Sequence, residues 1–193
     1  AAANWGTYVT VHAYTPEAIR NAIEAGAKVI DHGQLADEAT VKMMAENGTW
    51  WSLQPFVGDE NANQHADAER QAASAEIHAG TDRAYELARK YGVKVAFGTD
   101  ILFDAARAAR QGAQLETMTR WYTPAEVLKM ATADNAELLA LSDRRNPYPG
   151  KLGDLLLVDG DPIAQIDLFA DPAKNLLVIM KDGRIEKNIV AEN

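Results

Sequence analysis

Apolar and polar positions along this chain follow two periods in turn, and the switch between them recurs. TYVTVHAY, AKVIDHG, TWWSLQPF and VKVAFGTD are short, rich in β-branched and aromatic residues, and predict strands. Between them the spacing lengthens to the helical period. TPEAIRNAIEAG predicts a helix with Thr15 as N-cap, Pro16 at the first helical position, Glu17 in the first turn and Gly26 at the end. Asp37 to Asn47 predicts a second helix, stopped at Asn47-Gly48, and His65 to Tyr91 a long third one closed by Gly92. Helical patterns also cover Ala105 to Thr117 and Pro124 to Leu141, the latter capped by Thr123.

Successive strand–helix units of this length predict an α/β fold with a parallel sheet and helices outside it. The last third changes character. NPYPGKLGDLLLVDGDP and NLLVIMKDGRI read as short strands broken by Gly, Pro and Asp-Gly turns, hence a small β structure beside the main domain. Residues 1–141 are thus expected to form one domain and 142–193 the other. Four units cannot close a barrel, which needs eight, and no glycine-rich phosphate loop marks a nucleotide site.

Composition narrows the partners. With 193 residues, 47% of them apolar, the chain can bury a real core. It has no cysteine, which excludes thiolate metal sites and disulfides and leaves the compartment open, cytoplasmic or exported. A net charge of −9 argues against a nucleic-acid partner, and no apolar run approaches membrane-spanning length.

Candidate chemistry gathers at the strand ends. His12, His32 and Asp100 each terminate a predicted strand, and such ends converge on the mouth of a barrel, where a divalent metal can sit. Alternation places Tyr8, Thr10 and His12 on one face, with Tyr14 just beyond, and turns Gly98 and Ala96 toward Asp100. The competing reading is two buried, hydrogen-bonded histidines and an aspartate capping a loop. Asp31 is expected to face outward and cap the following turn. His65 and His78 are expected to be solvated.

VHAYTPEAIRNAIEAGAKVIDHG, the GTD at 98–100, the ATADNAELLAL helix and PGKLGDLLLVDGDP, in that order, resemble the amidohydrolase superfamily, nearest to its imidazolonepropionase and Xaa-Pro dipeptidase-like branch. The resemblance implies the C-terminal half of a (β/α)8 TIM barrel, strands five to eight, followed by part of a small β-sandwich. His12 and His32 match the histidines ending strands five and six, which hold one metal. Asp100 matches the aspartate ending strand eight, which binds a second metal and shuttles a proton. The Lys-Gly-Asp-Leu stretch matches the return into the sandwich, with Gly153 where the family has alanine. The His-x-His of strand one and the carboxylated lysine of strand four are absent, so the missing N-terminal half of the same protein is expected to complete the site. This chain alone should hold metal poorly and catalyse nothing.

The implied activity is amide hydrolysis, of a dipeptide or N-acyl amino acid, assisted by one or two divalent ions, with Zn²⁺ the expected metal. Opening of a cyclic amide, or a binding domain that has lost its chemistry, are the alternatives, and a homo-oligomer is expected. Tyr14 is the candidate substrate-binding residue, a neutral donor to the carbonyl oxygen. Trp50, Trp51 and Phe56 split between faces, packing on helices or lining a pocket for an aromatic acyl group, including amide toxins of the ochratoxin type. Arg107 and Arg110 are candidates for a substrate carboxylate.

Overall fold

The computed structural model describes residues 1–59, 67–101, 105–141 and 148–190. The chain forms two compact units, Ala1–Gly98 and Thr99–Asn193. The expected boundary at 141/142 lies within the second unit, against residues 142–147, which are outside the described set.

The first unit contains β1 (Thr10–Ala13), α1 (Pro16–Glu24), β2 (Val29–His32), α2 (Glu38–Glu46), β3 (Trp50–Ser52), α3 (Ala68–Tyr91) and β4 (Val95–Ala96). Its strands pair in chain order, all parallel. The punctuation read from the sequence holds. Thr15 and Asp37 cap α1 and α2 by accepting from the backbone N–H of Ala18 and Thr40. Gly92, at φ 66°, closes α3 in the left-handed conformation that glycine adopts without strain. Arg20 ties two elements together, donating to Asp37 at 3.3 Å and to Thr40 Oγ1 at 2.8 Å.

Paired residues on parallel neighbours share a face, so the register sorts the sheet into two sides. Val11, Ile30, Trp51 and Val95 form one row, and Ile30 and Trp51 are completely buried. Burying side chains of this size stabilises the fold by roughly 1.5–3 kcal/mol each. Buried Ile19 and Ile23 of α1, Val41 and Met44 of α2, and Ala84, Tyr85 and Ala88 of α3 join this core. His12, Asp31, Ser52 and Ala96 form the adjacent row on the other face, which is polar over its first three strands and partly open.

The second unit holds α4 (Ala105–Ala108), α5 (Ala113–Thr117), α6 (Pro124–Lys129), α7 (Asn135–Leu138), β5 (Leu155–Val158), α8 (Pro172–Asn175), β6 (Leu176–Lys181) and β7 (Arg184–Asn188). The helix expected over 105–117 breaks in two. Gly112 sits so close to Phe169 that a Cβ there would lie 2.0 Å from the Phe169 carbonyl oxygen, and α5 starts afresh beyond it. The expected 124–141 helix keeps its cap, a reciprocal pairing of Thr123 with Glu126, but passes through a π-helical turn at Met130–Asp134. The three strands form an antiparallel sheet in the order β5-β6-β7. Gly153 lies against the β6–β7 turn, where a Cβ would come 3.0 Å from Gly183 Cα. No helix among the described residues is long and apolar enough to cross a membrane.

Candidate active site at the strand ends

The C-terminal ends of β1 and β2 bring three rings together. The centroids of His12 and His32 are 4.4 Å apart and nearly perpendicular. Tyr14 lies 4.8 Å from His32, stacked at 13°, and 5.1 Å from His12 edge-on. Phe56, beyond β3, extends the stack at 6.2 Å from His32. Two of the predicted ligands and the predicted substrate-binding tyrosine therefore share one cluster.

Alternation alone does not produce it. The register pairs His32 with Ala13 and His12 with Asp31, which puts the two histidines on opposite faces of a regular sheet. The backbone of His32 leaves the extended region, with φ at 73°, and so swings its ring to His12. Left-handed backbone in a residue with a β-carbon is strained and persists only where the surroundings impose it. The imposing group is Trp51. Its indole N–H donates to the His32 carbonyl at 2.5 Å, and Gly33 follows at φ 80°, where a Cβ would lie 2.6 Å from that same indole nitrogen.

The His32 ring is held from its other side. Nδ1 of His32 lies 2.9 Å from Gln54 Oε1, and the Gln54 amide nitrogen donates to Ser52 Oγ at 3.3 Å. With Gln54 oriented in this way, the contact favours the His32 tautomer protonated on Nδ1. Gln54 is itself anchored, its backbone carbonyl accepting from Gln34 Nε2 at 3.2 Å and from the Phe56 N–H at 2.9 Å. Gln34 is 2% exposed, and its own Oε1 has no hydrogen-bond partner among the described residues.

Other expectations sort differently. Asp31 accepts from Thr10 Oγ1 on the open face instead of capping a turn, because register sets it beside that strand. Trp50 and Trp51 are both buried; Trp51 packs on the helix side, and Trp50 lies under the Lys94 ammonium at 4.9 Å. His78 is half-buried, with Ser74 Oγ 3.3 Å from its Nε2 and its ring against Gly58. His65 lies outside the described residues. Asp100, Arg107 and Arg110 belong to the second unit; Asp100 is exposed, with a left-handed backbone at φ 50°.

Sequence reasoning missed Gln34, Ser52 and Gln54. The available signal was period-two spacing, since Ser52 and Gln54 continue one face past the end of β3. The residues present suit a divalent metal as a pair of imidazole donors, one with its second nitrogen already engaged, as histidine ligands usually are. Among the described residues, no set of three His, Cys, Asp or Glu side chains is placed to hold a metal ion.

The model of the amidohydrolase family matches residues 1–186. The chain belongs to that family. Among its relatives, the ochratoxinase of Aspergillus niger is 28% identical over 194 residues, covering 96% of this chain and 39% of that protein. Among solved structures, an amidohydrolase at 34% identity aligns with a TM-score of 0.89 over 98% of this chain and 47% of its own. A prolidase complexed with N-methylphosphonate-L-proline, 29% identical, also gives 0.89 over 97% of this chain and 47% of its own. The amidohydrolase chain described here thus spans less than half the length of these relatives.

Proposed function

We propose that this chain supplies strands five to eight of a (β/α)8 barrel and part of a small β-sandwich, in a protein that hydrolyses the amide bond of a dipeptide or N-acyl amino acid. The cluster of His12, His32 and Tyr14 at the C-terminal ends of neighbouring parallel strands carries this reading, because barrel enzymes build their sites at that end. The names of the relatives, a prolidase and an ochratoxinase, support amide substrates.

His12 and His32 are the residues that would hold a divalent metal, Zn²⁺ being suited to imidazole nitrogen. Such an ion, when bound, polarises a carbonyl and activates water near neutral pH. Tyr14 donates its phenolic proton toward the substrate carbonyl oxygen as charge develops there. Asp100 takes the proton of the attacking water and returns it to the leaving nitrogen. Further strands from the rest of the protein close the barrel and complete the ligand set.

The test is turnover by the full-length protein on N-acyl amino acids and dipeptides, set against cyclic imides and imidazolones. Hydrolysis of the open-chain amides, abolished by chelation and by Asp100→Asn in a folded variant, is expected. Turnover confined to the cyclic substrates moves the assignment to a cyclic amidase, and a folded protein inert to every substrate makes the domain a binding module. Near-normal kcat in Asp100→Asn removes the proton-shuttle role.

A further inference from the structure

Gln54 stands outside the catalytic groups named above, yet it is the side chain that decides which nitrogen His32 presents. We propose that Gln54 is a positioning residue: it accepts the Nδ1–H of His32 and holds the imidazole in the tautomer whose basic nitrogen is Nε2. The proposal rests on the reading of His32 as a ligand and names the device that prepares it.

Three observations carry it. The contact is short, 2.9 Å, and Gln54 is 4% exposed, so water does not compete for either partner. The amide makes a second bond, its nitrogen donating to Ser52 Oγ at 3.3 Å while Oε1 faces the imidazole. The loop bearing Gln54 is fastened residue by residue. Tyr85 Oη donates to the Leu53 carbonyl at 2.5 Å, Gln34 Nε2 to the Gln54 carbonyl at 3.2 Å, and Thr81 Oγ1 to the Phe56 carbonyl at 2.8 Å. Two of those donors belong to α3, so a helix on the far side of the sheet fixes the loop whose side chain fixes the histidine. Three carbonyls within four residues, those of Leu53, Gln54 and Phe56, thus fix the backbone from which Gln54 reaches the imidazole.

The experiment uses full-length protein labelled with ¹⁵N at the histidine rings and stripped of metal. Long-range ¹H–¹⁵N correlation reads the His32 tautomer, with the signal assigned by its loss in His32→Ala. A protonated Nδ1 and an unprotonated Nε2 are expected in the wild type, retained in Gln54→Glu, whose carboxylate still accepts, and scrambled in Gln54→Leu. Titration with Zn²⁺ should then show affinity about 10–100-fold weaker for Gln54→Leu, the usual range for a lost outer partner, and restored by Gln54→Glu. A wild-type His32 protonated on Nε2 overturns the proposal, as does a Gln54→Leu variant with unchanged tautomer. If Gln54→Leu does not fold, the wild-type spectrum alone decides. A wild type that takes up no Zn²⁺ refutes the metal reading, while the metal-free tautomer still decides the role of Gln54.

Discussion

The two ends of the parallel sheet are built from similar residues and do opposite things. At the N-terminal end, aromatic rings meet lysines: Lys28 Nζ lies 4.3 Å from the Tyr8 ring and Lys94 Nζ 4.9 Å from Trp50. At the C-terminal end, aromatic rings meet imidazoles, on backbone bent away from its preferred conformation. The first arrangement is tolerant, since a flexible ammonium over a ring asks little of its neighbours. The second is demanding, because His32, Gly33, Trp51 and Gln54 constrain one another across two neighbouring strands. A parallel sheet thus concentrates chemistry where its strands finish and leaves stabilisation to where they begin.

The contrast can be broken from either end. The largest effect is expected for His12→Ala. His12 is exposed, so the variant should unfold at the wild-type denaturant concentration while kcat of the full-length enzyme falls by at least about 10²-fold, the low end for a positioned group at a reacting centre. An urea titration beside a kinetic assay separates the two. Gly33→Ala should damage both properties. A Cβ at φ 80° and 2.6 Å from the Trp51 indole nitrogen strains the backbone and displaces the His32 carbonyl's donor, costing about 1–3 kcal/mol in urea unfolding and lowering kcat as well. At the opposite end, Lys94→Met should cost about 0.5–1 kcal/mol with kcat unchanged. Loss of activity there would erase the distinction between the two ends.

The smallest effect is set by pH, away from both ends. Lys90 and Tyr91 of α3 donate to Glu38, and these bonds hold its carboxyl down to about 2 from an ordinary 4.5. Hydrogen bonds to Thr40, with Arg20 nearby, lower Asp37 as well. A depressed carboxyl stabilises the fold above its unfolded value and loses that contribution as pH falls through the folded one. The fold should therefore weaken between about pH 4.5 and 2, and Glu38→Gln should flatten that part of the profile measured by thermal unfolding. Because Glu38 and Lys90 are substantially exposed, added salt should shrink the difference.

What the sequence made legible was local. Thr15-Pro16, Asp37, Asn47-Gly48 and Gly92 mark helix ends by their own conformational preferences, and the structure ends its helices there. Strand lengths were not legible. TWWSLQPF reads as one strand, yet pairing stops at Ser52, the last residue opposite Asp31 on one side and Ala96 on the other. The residues past that point, no longer committed to a ladder, became the Gln54 network. The close approach of Gly112 to Phe169, distant in sequence, has no local pattern to announce it. The histidine pair was legible as residues at strand ends. How they meet was not, since the left-handed turn at His32 answers to an indole on a neighbouring strand.

That indole has a further use. Trp51 is fully buried, and its N–H is bound to the carbonyl of a residue in the candidate site. An indole so enclosed emits at shorter wavelength than one in water, and its emission responds to the strength of its hydrogen bond. Trp5, by contrast, is 86% exposed, so its light separates spectrally from that of the interior. With the protein's other tryptophans apart from Trp5 replaced by phenylalanine, Trp50 and Trp121 among them, the fluorescence of Trp51 becomes an optical gauge of the His32 backbone. The arrival of a ligand at the strand ends then registers as a change of colour, without label or substrate.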